Sequence, residues 1–400
     1  MLPFSIGLSN IIFTLTIILS ISSREWWQGA LYLHEHYRWL LRAWLIYMTL
    51  FITGLAWSPD IEWGIHLLSK QWSWLLVPAL LGVLLGNHRD PFFLRYNLIE
   101  TTILALSAAL FIHLIVCSIQ SLGLLPNLNP GVSSAQDATG MLGRIGFGLI
   151  YSIWAALLIH WGMQQHNWLR ITCWSVALWA VVAIFLAQGR SGYLITLVLA
   201  ILLARKLLFH SVPRLKFWLI TLIVCTVFAV TIWQSTAVRH RMQWTLHNIQ
   251  QVESGNLNKS EARLVMWYGA WRGWLEHPWI GVGTGGFPTL SRQMAKQFNL
   301  TYDGKSFTAH PHQMYLLALV RWGPLGLLTL IALLTAWIAT GWRNMELSHY
   351  NTLIVASGAA LTIHGFSAPS LEEYYGSIYG ALFLSIGLAG KAIQQGSDRA

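Results

Sequence analysis

Apolar runs close to bilayer length recur along almost the whole chain, and this restricts what it can fold into. A helix needs about 20 predominantly apolar residues to cross the hydrocarbon core. Eleven such segments are readable, at roughly 5–21, 39–57, 71–86, 97–119, 141–162, 171–188, 191–209, 217–236, 313–341, 350–368 and 374–391. Only 10% of the residues are charged, where a soluble domain carries about 25%, and mean hydropathy is +0.52. The reading is an all-α polytopic membrane protein with about 11–12 transmembrane helices. The first run lacks a basic flank and a small-residue cleavage site, so it reads as a span. The runs 171–188 and 191–209 form a tight hairpin with Arg190 at its tip. Gly323-Pro324 predicts a kink early in 313–341.

Loop charge gives an orientation. Loops 22–38, 87–96, 163–170, 205–216 and 342–349 carry Arg24, Arg38, Arg89, Arg95, Arg170, Arg205, Lys206, Arg214, Lys216 and Arg343, whereas the short loops 58–70, 120–140 and 369–373 carry only Lys70. The positive-inside rule puts the first set in the cytoplasm. Arg190 and the segment from about 237 to 312 then face outward, which in a bacterium is the periplasmic side of the inner membrane. The formal charge of +10 resides mostly in short loops between spans and does not point to nucleic acid. Cys117, Cys173 and Cys225 lie in apolar runs, so disulfides and a cysteine metal site are not expected.

Three regions follow: an N-terminal bundle of about eight helices over 1–236, a large outward loop over 237–312, and C-terminal helices over 313–400. Arg239, Arg241, Lys259, Arg263, Arg272, Arg292, Lys296 and Lys305 outnumber the loop's acids, against the positive-inside rule, and this suits an anionic ligand such as a lipid phosphate. Ser260 is a plausible N-cap for a Trp-rich helix running to about Glu276, with Arg263, Trp267 and Trp271 on one face and Arg272 beside them. The turn Gly281 to Phe287, "GVGTGGF", either cradles phosphate with backbone N–H groups or lets backbones pack closely. His310 and His312 lack a nearby third metal ligand. His312 remains open between an idle interfacial residue and a base that takes a proton from a sugar hydroxyl. His34-Glu35-His36 reads as interfacial, and His113 and His160 read as helix-packing or interfacial polar residues.

Context around His312 breaks that tie. His312-Gln313, then nine residues, then Gly323-Pro324-Leu325-Gly326 resembles the His-[Asn/Ser/Gln]-x9-Gly-x-x-Gly pattern of the O-antigen ligase superfamily. Arg263-Leu264-x-x-Trp267, followed by His277-Pro278 and Gly281-x-Gly283-x-Gly285-x-Phe287, resembles the same family's large periplasmic loop. Arg190-Ser191-Gly192-Tyr193-Leu194 fits its Arg-x3-Leu signature at a periplasmic helix start. The resemblance implies a fold similar to lipid-dependent GT-C glycosyltransferases, with one large, partly helical periplasmic loop. It implies a glycan donor on undecaprenyl pyrophosphate and a sugar of the lipid A-core as acceptor, among membrane lipids and with no metal or nucleotide cofactor. Its catalytic residues would be His312, Arg190 and Arg263, with Arg272, His310, Gln313, Trp267 and Gly283 binding substrate. An O-antigen polymerase using the same donor is the nearest alternative. A protein O-oligosaccharyltransferase and a transporter without chemistry are the others.

Overall fold

The computed structural model describes residues 5–86, 92–126, 139–140, 142–187, 189–208, 212–233, 243, 262–297 and 309–397. The Ser260 cap and the side chains of Lys259, Lys305, Arg239, Arg241, Arg89, Arg95, Arg214 and Cys225 lie outside the described residues. Cys117 and Cys173 are free thiols.

The described chain is helical throughout. Helix α1 (Ile6–Ser22) turns by 84° at Arg24 into α2 (Glu25–His36). Next come α3 (Arg38–Thr53) and α4 (Ile61–Ser69), capped by Asp60. A 3-10 stretch, Lys70–Leu75, carries α4 into α5 (Leu76–Leu85) as one broken span. The order continues with α6 (Phe92–Ser121), α7 (Gly143–Gln164), α8 (Asn167–Leu186), α9 (Arg190–Leu203) and α10 (Arg214–Trp233). Two shorter helices, α11 (Ala262–Glu276) and α12 (Phe287–Gln297), precede α13 (Met314–Trp342), α14 (His349–His364) and α15 (Tyr374–Ser397).

Six helices among the described residues are long and apolar enough to cross a membrane, or seven with the bent α1–α2 pair. Among the described residues, some of the eleven apolar runs are carried by shorter helices. The helices under runs 39–57 and 350–368 have 16 residues each, at about 1.5 Å rise per residue short of a 30 Å core, while α9 continues as a π-helix through Ala204–Leu208. Hydropathy sees composition, but a helix ends where its backbone turns, as α3 does before Gly54. In the most apolar stretches of α7 and α15, 83% and 89% of residues are buried in protein, against 17% in α8. Thus α7 and α15 form the centre and α8 a lipid-facing rim. Trp154, Tyr151, Trp337 and Phe383 fill that centre. His113 and His160 are packed inside, bonded to Tyr151 and Thr352.

Contacts sort the loops into two ends. Gln164 meets His349, Lys206 meets Glu346 and Lys391 reaches Thr340 at one end. At the other, Thr284 bonds to Gly54, Gly285 to Ser58, Arg321 to Glu372 and Tyr374 to Ile6. Helices α11 and α12 sit at this second end and share a small core with the start of α13, built on Val265, Phe287, Leu290, Leu317 and Val320.

Candidate active site

The site is built where an irregular segment enters α13. Gln313 caps that helix, its side-chain oxygen accepting the Leu316 N–H. Just before it, His312 takes a left-handed backbone, φ 52°, which is uncommon outside glycine. Two bonds hold this turn. Trp267 on α11 donates its indole N–H to Pro311 O at 2.9 Å, and Met314 N–H donates to Gly365 O at 2.7 Å. The strained histidine is therefore fixed by its neighbours.

The two imidazoles meet edge to face at 4.3 Å. His312 N–H donates to His310 Nδ1 at 3.3 Å. Burial, then His312, Arg321 and Lys70, push His310 down to about 4. Burial, then Arg263, hold His312 below its ordinary value. Both rings are neutral at pH 7, and His312 can accept a proton. Arg263 acts on His312, while Arg321 and Lys70 act on His310. The pair thus has two electrostatic sides.

The glycine-rich turn does not cradle an anion. Six of its seven amides are committed inside the protein: Gly281 to His277 O, Val282 to Val320 O, Gly283 to Arg321 O, Thr284 to Gly54 O, Gly285 to Ser58 Oγ and Gly286 to Gly283 O. The acceptors on α13 exist because that helix breaks at Trp322 and Gly323, the latter at φ 64°. A Cβ on Gly323 would lie 2.0 Å from Trp279 O, and one on Gly283 2.6 Å from Gly54 O. The "GVGTGGF" turn and the Gly323-Pro324 break are two halves of one backbone contact. Gly283 is a packing residue, and the phosphate reading of this turn is corrected.

A cavity of about 440 Å³ opens on the His310 side, between α1, the α4–α5 break, the start of α13 and the start of α15. Arg321, 1% exposed, pairs there with Glu372 at 2.5 Å and lies 5.9 Å from the Phe51 and Trp322 rings. Glu373 beside it is raised to about 7 by burial and then by Glu372. Among the described residues no three His, Cys, Asp or Glu converge as a metal site.

Residues 175–331 match the family model described as O-antigen ligase. Over that segment the chain resembles the O-antigen ligase superfamily. No curated protein matches the chain. Members of the superfamily carry out glycosyltransferase-like ligase or polymerase reactions on lipid-linked glycans, and the apolar helices here make this one a multi-pass membrane protein.

The fold brings Arg263, Trp267, His310 and His312 together. Arg190 opens α9 with its side chain exposed. It stands at the same end, since Gly189 packs on Arg144 O and Gly146 packs on Tyr375. Arg272 and Trp271 lie exposed on α11. Gln313, expected to bind substrate, has its side-chain oxygen engaged in the helix cap. This accounts for the Asn and Ser alternatives in the superfamily pattern, since both are strong cap residues. Sequence reasoning passed over Arg321, Glu372 and Glu373. The first was visible as a guanidinium inside an apolar run, costly at membrane depth without a role. The glutamates lie beyond the matched segment, and their loop was noted only for lacking basic residues.

Proposed function

We propose that this chain is an O-antigen ligase that moves a glycan from undecaprenyl pyrophosphate to a hydroxyl of lipid A-core oligosaccharide, at the periplasmic face of the bacterial inner membrane. The observation that supports it most is the neutral His312 held beside Arg263 within the matched segment. The acceptor hydroxyl gives its proton to the His312 imidazole while its oxygen attacks C1 of the donor sugar. The new C1–O bond forms as the C1–O bond to pyrophosphate breaks, and the pyrophosphate leaves with the electron pair. Arg263 and Arg190, with Arg272 as a third, stabilise that charge, because guanidinium groups bind phosphate oxygens in pairs and stay protonated. One displacement inverts the anomeric centre.

The lipopolysaccharide banding of a deletion strain tests the reading. A ligase defect leaves core uncapped and accumulates lipid-linked polymer. Single capped repeat units would instead assign the chain to polymerisation. Complementation by His312→Ala with normal capping would sink the proposed mechanism.

A further inference from the structure

The cavity beside His310 has the chemistry of a carbohydrate site and not of a pyrophosphate site. Four buried side-chain atoms on its lining residues have no hydrogen-bond partner among the described residues: Asn10 Oδ1, Trp63 Nε1, Ser73 Oγ and Arg321 Nε. Ser73 and Arg321 are each only 1% exposed. Leaving such groups unpaired is costly, and a ligand rich in hydroxyls, each both donor and acceptor, would relieve them. Trp63 and Trp72 supply apolar ring faces for the C–H face of a sugar. Charge argues the same way. Arg321 is already neutralised by its pairing with Glu372, and Lys70 and Glu373 line the same cavity, so it is not a cluster of uncompensated cations built for a polyanion. The volume, about 440 Å³, falls in the ordinary range of small-molecule sites, about 300–1,000 Å³.

Position then distinguishes the two substrates. Trp267, on the same helix as Arg263, bonds to Pro311 O beside His312, whereas the cavity is lined by His310 and not by His312. In a single displacement the attacking oxygen and the leaving group occupy opposite sides of C1. With the pyrophosphate on the Arg263 side, the cavity lies on the side of the attacking sugar. We propose that this cavity is the acceptor-sugar subsite, taking one uncharged pyranose unit with its ring against Trp63 and its hydroxyls on Asn10, Ser73, Glu373 and Arg321. The proposal rests on the transferase reading for the direction of attack, but not for the binding of sugar.

Saturation-transfer NMR with neutral methyl pyranosides on the detergent-solubilised full chain tests binding. Trp63→Leu should weaken the bound pyranoside about tenfold, the order of a lost aromatic contact. Asn10→Ala should weaken it several-fold, in a position less demanding for folding. Arg263→Ala should leave sugar binding unchanged. Equal binding in the wild type and both cavity variants, or no binding at all, overturns the subsite. In transfer assays with purified core oligosaccharide and lipid-linked donor, Trp63→Leu should raise the acceptor KM and spare the donor KM. A rise confined to the donor KM overturns the acceptor assignment. If His312→Ala transfers normally while the cavity variants lose sugar, the mechanism above fails and the subsite stands.

Discussion

The two ends of the helical bundle differ in how their polar groups pair, although among the described residues each keeps unpartnered atoms, His349 Nε2 and Asn351 Oδ1 at the α14 end. At the α14 end, Glu100 accepts the Tyr350 hydroxyl and lies 3.5 Å from His349 Nε2, whose other nitrogen meets Gln164. His160 bonds to Thr352 at 2.6 Å, and Lys206 pairs with Glu346 at 3.2 Å. At the His310 end, the Arg321–Glu372 pair is the anchor, and around it Asn10, Trp63 and Ser73 keep unpartnered atoms. In an apolar bundle, polar side chains that find one another act as structure. Those left over beside a cavity are where a ligand belongs. Glu100, an acid within an apolar run, belongs to the α14 end.

The largest test of this contrast sets His312→Ala against His349→Ala. The first should lower the transfer rate about 10²–10⁴-fold, as for loss of a general base, with unchanged thermal unfolding. The second should lower unfolding temperature and spare transfer. Reversed outcomes would exchange the roles of the two ends. Next is Arg321→Met, which leaves Glu372 buried and uncompensated and should destabilise by about 3–5 kcal/mol. Adding Glu372→Leu should restore much of that, measured by thermal unfolding in detergent. At the α14 end, Tyr350→Phe removes a bond to a carboxylate and should cost about 1.5–3 kcal/mol with no change in acceptor KM.

Titration sharpens the comparison. In the proposed mechanism His312 works as a base when neutral, and burial and Arg263 hold it below 6.5. The rate should therefore stay level through neutrality and fall only as pH drops through a value under 6.5. Arg263→Gln should move that acid limb upward. Glu373 has the opposite sign. Its folded value is raised from 4.5 to about 7, so the folded state holds the proton more tightly. The resulting stability is present below 4.5 and is lost as pH rises through about 7. Unfolding of Glu373→Gln followed across that range should lack this loss. The smallest effect is Gln313→Ala, about 1 kcal/mol for a lost helix cap. Abolished transfer at unchanged stability would give Gln313 a substrate contact as well.

Part of the site was legible because its signals are local. His312, Arg263 and Trp267 stand in motifs whose spacing is fixed by helix geometry, and the Gly323-Pro324 kink follows from the residues that make it. Where each helix ends was less legible, since hydropathy runs through Gly54, where α3 has already ended, without registering it. The glycine turn misled for a related reason. A run of glycines announces close approach but not to what, and here its partner is a broken helix some 40 residues on.

The sequence by itself determined that this is a helical membrane protein and which arginine–histidine set is proposed to carry its chemistry, because burial in lipid and charge at a reaction centre each demand particular residue types. Tertiary structure alone decided that Gly283 packs, that Gln313 caps, and that Asn10, Ser73, Arg321 and Glu373 line one cavity beside His310. Those residues come from four separated parts of the chain. Whether a polar group is satisfied depends on what folding brings beside it, and no spacing along the chain records that.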